Sequence, residues 1–394
     1  MEREKLVCDS LSINQYAASI ASTWIWAPAI FVASSISYTH GLLGLALFLI
    51  PNIATLILFG FISNYVRNKQ DGITVLDGIQ SACYQQKVIH LIVSLVVLVC
   101  STTVQLLAIK SLWNIPEYIS IGATCLLALV ITLSGGIKTC IQSDFWKYVV
   151  TTAISFGLLI VGCTAVGFDF SNVSLVGSMS YDPIDFCLSF GVVTALGLFS
   201  APYIDQTFWQ RAFSIPKQKV VKTFCLAGLY FAIIPICFGL IGLIGTKMSQ
   251  WSLANQFVSG IPAILMSVAV FFILLATIDS NLCALQSYVE TTKIKQYISS
   301  SVAMVLLCIA SGIVIYLNPT LAIAQLFLIY GTIRTCMAVP TLLIVFNKYD
   351  SNRLLYATIL SCLIAPIGYI LTGSFWFTVF GFVVPVLGIK LAFK

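Results

Sequence analysis

Two charged residues lie in stretches of the sequence that otherwise carry no charge. Asp279 is the only Asp, Glu, Lys or Arg in residues 248–289, and Arg334 is the only one in residues 296–347. Burying a charge among apolar residues is costly, so such a residue is expected to pair with an opposite charge or to face a polar ligand. The chemistry open to these two residues is therefore ion pairing, gating or contact with a charged solute.

The sequence carries none of the common catalytic motifs. It has no Walker loop, G-x-S-x-G elbow, H-E-x-x-H motif, EF-hand loop, dinucleotide fingerprint or C-x-x-C pair. Its 13 cysteines are scattered singly, mostly inside apolar stretches, and are expected to pack as small apolar residues. We therefore expect a protein that is not an enzyme and that binds no organic cofactor.

The apolar stretches around these charges predict membrane-spanning helices. Of the 394 residues, 59% are hydrophobic and 9% are charged, whereas about 25% are charged in a soluble globular domain. Residues 10–66 contain no charged side chain, so this stretch exceeds the ~20 residues of one span and is divided at the polar turn 37–41. The same division elsewhere predicts an all-α membrane protein with about twelve transmembrane helices in one domain, residues 1–394. The predicted helices cover about residues 13–37, 42–66, 88–110, 117–136, 142–168, 184–204, 219–246, 260–290, 296–317, 319–347, 354–372 and 374–391.

The positions of the basic residues predict the orientation. With a cytoplasmic N-terminus, 17 of the 20 Lys and Arg residues fall in cytoplasmic segments, among them Lys147 and Arg211. Only Lys110 and Lys247 fall on the other side, and Arg334 lies within a helix. Lys and Arg are retained on the cytoplasmic side of membranes, so both termini are predicted to be cytoplasmic, in a plasma or cell membrane. No nucleic-acid partner is expected, because the basic residues form no clustered face with stacking aromatics.

Interrupted helices predict an inverted repeat. The first predicted helix contains Pro28, and the sixth contains Gly191, Gly197 and Pro202. The two helices are five apart, so they run in opposite directions through the membrane. Breaks in corresponding helices free backbone groups near the membrane centre, where an ion or solute can bind them, although Pro28 alone could be a simple kink. The repeats are predicted at about residues 13–168 and 184–347, followed by two extra helices at about 354–391.

Four segments of the sequence resemble the sodium:solute symporter family. Segment 135–144, GGIKTCIQSD, resembles the family's pattern at the start of the fifth core helix, and segment 205–211, DQTFWQR, resembles the one that closes the sixth. Segment 276–282, ATIDSNL, resembles a stretch of the eighth helix, and WIWA at 24–27 is similar to the first core helix of the urea-transporting branch. The resemblance implies the leucine-transporter-like fold, a core of five plus five helices in inverted repeats whose helices 1 and 6 are broken.

The resemblance also implies a sodium site. In the family's pattern, the carbonyl groups of Ser22, Ile25 and Ile273 and the hydroxyl of Thr277 would hold the ion. Sodium needs about five oxygen ligands, which inside a membrane must come from carbonyls and hydroxyls. The position of the fifth ligand is Ala276, which has no hydroxyl, so the site is expected to bind Na⁺ more weakly. Alternatively, Thr277 could simply donate to the carbonyl one turn before it.

Three charged residues are predicted to act in coupling or gating. Asp279 lies just beyond Thr277 and could help sodium to leave, or it could belong to a structural pair. Asp144, at the predicted cytoplasmic mouth of the fifth helix, allows the same interpretation as part of an exit path. Arg334 could form a salt bridge with Asp279 or Asp144 that stabilises a gate, or it could be the counter-charge of an anionic solute. We expect Asp279 to belong to a structural pair, and Arg334 to have a gating or structural role.

The solute is predicted to bind between the first and sixth helices, which the third, eighth and tenth helices enclose. The candidate contact residues are Trp24, Trp26, Gln105, Ser200 and Gln325, because Trp can cover a small polar solute with its ring and orient it with its N–H. The predicted function is Na⁺-coupled symport of a small polar organic solute, such as urea or an amino acid, with a monomer sufficient for transport. The alternatives are a non-transporting solute sensor and a Na⁺-independent facilitator or channel.

Overall fold

The part of the chain that the structure describes is built from helices and contains no β-strand. The computed structural model describes residues 10–110, 112, 116–171, 173–248, 260–318, 323–348 and 351–390. The predicted start of the tenth helix at 319 and the predicted end of the twelfth at 391 lie outside these residues. Residues Cys187–Val192 are π-helical, and Lys217–Lys219 and Lys293–Gln296 are short 3₁₀ turns. The α-helices are α1 (Ile13–Trp24), α2 (Ala27–Lys69), α3 (Val75–Gly78), α4 (Tyr84–Lys110), α5 (Glu117–Ala165), α6 (Pro183–Phe186), α7 (Val193–Ile204), α8 (Gln206–Ser214), α9 (Val220–Met248), α10 (Gly260–Thr291), α11 (Ser300–Leu317), α12 (Ile323–Val345), α13 (Ser351–Thr372) and α14 (Trp376–Lys390).

Two of the long helices, α2 and α5, each consist of two arms that reverse direction at glycine. Gly41 in α2 has φ 64° and Gly136 in α5 has φ 59°, a left-handed backbone that glycine adopts without steric cost. Thr132 and Cys140 are eight residues apart and would lie about 12 Å apart along a straight helix. Their side chains approach to 3.9 Å, so the two arms of α5 lie side by side.

The arms of α2 are paired in the same way. A side chain at Gly239 of α9 would meet both Ser37 and Leu45, one from each arm. Within the described residues, nine helical stretches are long and apolar enough to cross a membrane, and α2 and α5 each count once among them. When the two arms of α2 and of α5 are counted separately and α14 is added, the fold has the twelve predicted spans.

The first predicted span is broken close to Pro28, as expected. The helix α1 ends at Trp24, and Ile25 (φ −82°, ψ 78°) and Trp26 (φ −84°, ψ 167°) are not helical. The helix α2 then begins at Ala27, with Pro28 in its first turn. Proline has no N–H and clashes with the preceding turn inside a helix, whereas the first turn tolerates it. The interruption predicted from Pro28 is therefore confirmed.

The sixth predicted span is also broken, but at a position that the sequence did not indicate. Its break is Asp205 (φ −80°, ψ 108°), which ends α7 and begins α8, whereas Pro202 remains inside α7 and Gly191 lies in the π-helical segment. The sixth helix was predicted to end at residue 204, so the helix α8 was not among the predicted helices. Every residue of α8 is buried, so the span continues through this helix.

The short helices beside the breaks lie inside the bundle. All residues of α1 from Tyr16 to Trp24 are buried, and α1 packs against α5, α9 and α10. The helix α8 packs against α2, α7 and α10. By contrast, α5, α11 and α13 expose apolar side chains such as Leu126, Leu306 and Leu363, which is the surface expected to face lipid. The chain is thus a multi-pass integral membrane protein with its polar residues turned inward.

Candidate cation and solute site

The breaks of the two interrupted spans open onto one small cavity. Its volume is about 20 Å³, which is room for roughly one water molecule. Binding of a solute therefore requires the lining side chains to separate. The lining residues are Thr23, Trp24 and Trp26 at the first break; Asp205, Thr207 and Phe208 at the second; Ser101 of α4; Thr277 and Asn281 of α10; and Tyr330 and Arg334 of α12.

An ion pair joins the second break to α12. The Arg334 Nη2 atom donates to the Asp205 Oδ2 atom at 2.7 Å, and both side chains are nearly fully buried. The guanidinium also lies 3.9 Å from the centre of the Tyr330 ring. The other carboxylate oxygen of Asp205 accepts from the backbone N–H (3.4 Å) and the hydroxyl (2.9 Å) of Thr207. Arg334 therefore does not pair with Asp144 or Asp279, the two partners considered from the sequence.

Arg334 also lines a second cavity. That cavity measures about 30 Å³ and lies between α7, α12 and α14, where Gly197, Leu328 and Thr378 contribute to its wall. The residues of α7 and α12 in this wall precede Asp205 and Arg334 along their helices, so the cavity lies toward the N-terminal ends of both helices. Arg334 thus lines both cavities and Asp205 lines the central one, so their ion pair lies between the two.

Aromatic rings form the apolar part of the central cavity. Trp24 and Phe208 come from opposite breaks and meet edge to face, with ring centres 5.0 Å apart. Trp26 contacts Tyr330 with centres 6.0 Å apart and Phe327 with centres 4.4 Å apart. The two tryptophans predicted to contact the solute therefore both line the cavity, one packed against α8 and the other against α12.

The Thr277 hydroxyl joins α10 to the first break. It donates to the Ile273 carbonyl at 3.2 Å and lies 3.5 Å from the Thr23 carbonyl. The Ile25 N–H bonds back to Ala21, and the carbonyls that follow in the last turn of a helix have no intrahelical partner. The hydroxyl of Thr277 and the carbonyl of Ile273, both in α10, therefore lie close to the carbonyl of Thr23 in α1. Thr23 supplies the α1 carbonyl in contact with Thr277, where Ser22 and Ile25 were predicted.

Carbonyl and hydroxyl oxygens are the kind of ligand that a hard cation such as Na⁺ binds. The three oxygens here are all uncharged, which suits a cation with a single charge. The Ser22 hydroxyl, in the same turn of α1, is buried and has no hydrogen-bond partner among the described residues. Ala276 offers no side-chain oxygen, and its carbonyl accepts from Ser280 at 2.5 Å. Thr23, Ile273, Thr277 and Ser22 would then hold Na⁺, with fewer protein ligands than a complete set.

Four buried charges form a network beside this position. The Lys147 ammonium pairs with Asp279 and, at 3.4 Å, with Asp144. The Arg211 guanidinium pairs with Asp144 at 3.0 Å. The exposed fraction of each side chain is at most 7%, and the two positive charges balance the two negative ones. Asp144 and Asp279, predicted separately as coupling residues, belong to this single neutral network.

Hydroxyl groups link the network to the cation position. Ser280 accepts from Arg211 Nη2 at 2.6 Å and lies 3.0 Å from the Thr23 hydroxyl. Ser19 accepts from Arg211 Nε at 3.0 Å and donates to Asp144 at 2.7 Å. The helices α1, α5, α8 and α10 are thus joined by polar contacts, and a change at Thr23 can reach the buried charges through one hydroxyl.

The structure corrects the positions of Lys147 and Arg211, which the sequence placed in cytoplasmic segments. Both side chains are buried inside the bundle. A signal for Lys147 exists in the sequence, because it follows Asp144 by three residues and therefore shares its helix face. Arg211 lies in the segment 205–211 that carries the family resemblance, and so does Asp205, whose ion pair with Arg334 was not predicted either.

Three predicted solute contacts do not line the central cavity. Gln105 is buried in α4, one turn beyond Ser101, which does line it. Ser200 donates to the Leu196 carbonyl at 2.7 Å inside α7, and Gln325 is exposed in the first turn of α12. The polar residues found instead include Asn281, which donates to Ser101 and Thr102, both at 3.1 Å.

Comparison with solved structures shows what this chain is similar to. A Na⁺-coupled sialic acid symporter in a substrate-bound outward-open state matches with a TM-score of 0.75 and 17% identity, over 97% of this chain and 89% of that chain. Mhp1, a nucleobase-cation-symport-1 family transporter in a closed conformation with bromovinylhydantoin bound, matches with a TM-score of 0.69 and 10% identity, over 96% and 91%. The inward-facing conformation of Mhp1 matches with a TM-score of 0.59 and 14% identity, over 96% and 91%.

This chain has the fold of those transporters. No family model matches the sequence, and no curated protein matches it either. The similarity to these solved structures and the two observed breaks confirm the expected all-α fold with inverted repeats and broken first and sixth helices. Membership of the sodium:solute symporter family and of its urea-transporting branch stays a prediction, as do the repeat boundaries at about 13–168 and 184–347.

Proposed function

We propose that this protein is a secondary transporter that uses a Na⁺ gradient to carry a small polar organic solute by alternating access. The observation that carries the proposal is the meeting of two helix breaks at one cavity, with Trp24 and Trp26 on one side and Asp205 on the other. Broken helices present backbone groups to a ligand at a depth where a membrane protein must otherwise bond them internally. The related fold of symporters solved in outward-open, closed and inward-facing states supports the same proposal.

Sodium is proposed to bind where α1 ends. The carbonyls of Thr23 and Ile273 and the hydroxyl of Thr277 lie together there, and Ser22 and Ile25 belong to the same turn. An ion shared between α1 and α10 would fix the distance between these helices, so its departure would release α1 from α10. This linkage is what couples an ion gradient to a change of conformation.

The charged residues are proposed to hold the gates. The Arg334–Asp205 pair separates the central cavity from the one between α7, α12 and α14, so opening toward that side requires it to move. The network of Asp144, Lys147, Arg211 and Asp279 ties α1, α5, α8 and α10 together on the other side of Thr277. Alternating access then consists of opening one set of contacts while the other stays closed.

The proposal is tested by uptake into sealed proteoliposomes that contain the purified protein. Labelled solutes are supplied with an inward Na⁺ gradient, and the same gradient of K⁺ is the control, with the membrane potential held constant. Accumulation above the outside concentration with Na⁺ but not with K⁺ is expected. A monomer is proposed to suffice, with both termini cytoplasmic.

The alternatives correspond to different results of the same assay. Equilibration of the solute without accumulation, equal in Na⁺ and K⁺, indicates a facilitator or channel. Saturable binding of a solute by the purified protein without any flux indicates a sensor. Either result contradicts the proposed symport.

A further inference from the structure

Two cysteines that are 143 residues apart in the sequence meet between α5 and α10. The Sγ atoms of Cys140 and Cys283 lie 2.9 Å apart, and both side chains are buried. The Cys140 thiol is also 4.0 Å from the Asp279 carbonyl, which accepts from the Thr132 hydroxyl at 3.4 Å. Along the sequence the cysteines are scattered singly, so it is the fold that creates this pair.

The thiol pair belongs to the same helix interface as the buried charges. Cys140 precedes Asp144 by one turn of α5, and Cys283 follows Asp279 by one turn of α10. Lys147, further along α5, pairs with Asp279. These contacts follow one another in opposite order along the two helices, so the facing segments run antiparallel. The thiol pair and the Lys147–Asp279 ion pair therefore join the same two helices, about two turns of α5 apart.

The distance between the two thiols suits the formation of a covalent bond. A disulfide bond is about 2.05 Å long, so the sulfur atoms, now 2.9 Å apart, need to approach by only about 0.9 Å. Free thiols pack as small apolar groups, so the reduced pair leaves α5 and α10 free to separate. The oxidised pair would be a covalent bond between these helices.

Polar atoms beside the thiol pair offer a place for a small oxidant. The Gln210 side chain donates to the Cys283 carbonyl at 3.2 Å, and its buried Oε1 atom has no hydrogen-bond partner within the described residues. The same holds for the Oδ1 atom of Asp279. A buried acceptor without a partner favours a small molecule that brings O–H groups. Hydrogen peroxide is such a molecule, whereas the burial of both thiols excludes a bulky thiol reagent in this conformation.

We propose that Cys140 and Cys283 form an oxidation site for hydrogen peroxide, and that the resulting disulfide locks α5 to α10. The electron pair of one thiol sulfur attacks a peroxide oxygen, the O–O bond breaks, and water leaves with the thiol proton while the sulfur becomes a sulfenic acid. The second sulfur then attacks the first, the S–O bond breaks, and a second water leaves with the second thiol proton. The two thiols together lose two electrons and two protons, and the peroxide is reduced to two water molecules.

The consequence of this lock for transport rests on the proposed function. The ion pairs of the buried network break and re-form without a chemical reaction, so α5 and α10 can separate when that side of the cavity opens. A disulfide between them does not break without a reductant, so the oxidised protein stays closed on this side. Exchange with a dithiol reduces the bond and releases the two helices.

Disulfide mapping tests the oxidation site. The purified protein is treated with hydrogen peroxide, its remaining free thiols are alkylated, and its peptides are analysed by mass spectrometry with and without dithiothreitol. A peptide that joins Cys140 to Cys283 is expected, and dithiothreitol should remove it. The same peptide should form in Cys225→Ser, the matched control, which alters a partly buried cysteine of α9. Absence of this peptide from the oxidised, unaltered protein overturns the proposal.

Hydrogen–deuterium exchange tests the lock without any solute. Backbone amides exchange when the structure around them opens locally. Segments 137–148 of α5 and 276–290 of α10 should therefore exchange more slowly after peroxide treatment and recover after dithiothreitol. In Cys140→Ser, and independently in Cys283→Ser, peroxide should leave these rates unchanged, although the other cysteines are still exposed to the oxidant. Equal exchange in the cross-linked and the reduced protein contradicts the lock.

Uptake in the proteoliposomes separates the lock from the proposed function. Na⁺-driven uptake of a labelled solute should be lost after peroxide, return after dithiothreitol, and persist throughout in Cys140→Ser. Uptake that continues in fully cross-linked protein contradicts the lock and leaves symport standing. Failure of every solute to accumulate, in a protein whose disulfide forms and slows exchange, contradicts symport and leaves the lock standing.

Discussion

The Arg334 guanidinium donates to the Asp205 carboxylate across a sequence separation of 129 residues, and the 2.7 Å contact closes the space between α12 and the break of the sixth span. Asp205 ends α7 and begins α8, so the ion pair holds the break at a fixed distance from α12. The same guanidinium is in contact with the ring of Tyr330. Arg334 thus joins α12 to the break of the sixth span.

Replacing Asp205 with Asn should destabilise the protein, because it leaves Arg334 as a buried charge without a partner. Loss of one partner of a buried pair costs about 3–5 kcal/mol. The double variant Asp205→Asn with Arg334→Gln removes both charges, so it should recover most of that loss. Thermal unfolding in detergent measures both changes. A double variant that is no more stable than Asp205→Asn alone would show that the pair contributes no mutual stabilisation.

Lys147→Met should lower the unfolding temperature of the protein, because Lys147 contacts both Asp144 and Asp279 in the buried network. The substitution leaves two carboxylates balanced only by Arg211, and Asp279 loses its cation. Adding Asp279→Asn restores neutrality and should raise the unfolding temperature above that of Lys147→Met. If the double variant is folded and still transports, Asp279 is a structural partner of Lys147. If it is folded and does not transport, Asp279 takes part in coupling.

Thr277→Val should abolish Na⁺-driven uptake while leaving the protein folded, because valine keeps the side-chain shape and removes the hydroxyl that joins α10 to α1. Thr277→Ser keeps the hydroxyl and should retain uptake. Thr124→Val is the matched control, since Thr124 is buried and donates to the carbonyl four residues before it, as Thr277 does, but belongs to α5. Uptake by Thr277→Val at the level of Thr124→Val would argue against a role of this hydroxyl in coupling.

Ala276→Ser should lower the Na⁺ concentration that gives half-maximal uptake, because it adds the hydroxyl that the predicted ligand set lacks. Ala276 is fully buried, and serine adds only one oxygen atom at this position. The rate at saturating Na⁺ should change less than the Na⁺ requirement. A Na⁺ requirement that is unchanged or higher, in a variant with normal unfolding temperature, would place the ion elsewhere.

The sequence predicted the helices better than the site, for a physical reason. The hydropathy of a segment and the length over which it carries no charge depend on that segment alone, so the twelve spans could be predicted. The break near Pro28 could be predicted because proline interrupts a helix locally. The helix α8 was missed because its polar residues bond to distant ones: Gln206 donates to Ile73 and Ser287 and accepts from Val75. Such partners make a polar helix stable inside the bundle, and they are invisible in its own composition.

The buried charges were missed for a related reason. Counting Lys and Arg by position treats each charge as exposed to water, whereas Lys147 and Arg211 are neutralised by Asp144 and Asp279. The solute contacts Gln105, Ser200 and Gln325 were chosen by residue type and span, without knowing which face of each helix turns inward. The position of Trp24 and Trp26 at the cavity could be predicted, because they lie at the break itself. That they contact the solute stays a prediction.

The most direct test of the proposed sodium site is equilibrium binding of ²²Na⁺ to the purified protein, with unlabelled Na⁺ or K⁺ as competitor and no solute present. We predict saturable binding that Na⁺ displaces and K⁺ does not, retained in Thr124→Val and lost in Thr277→Val. Absence of saturable binding in the unaltered protein, or equal binding in the two variants, would contradict the claim that the end of α1 and Thr277 form a sodium site.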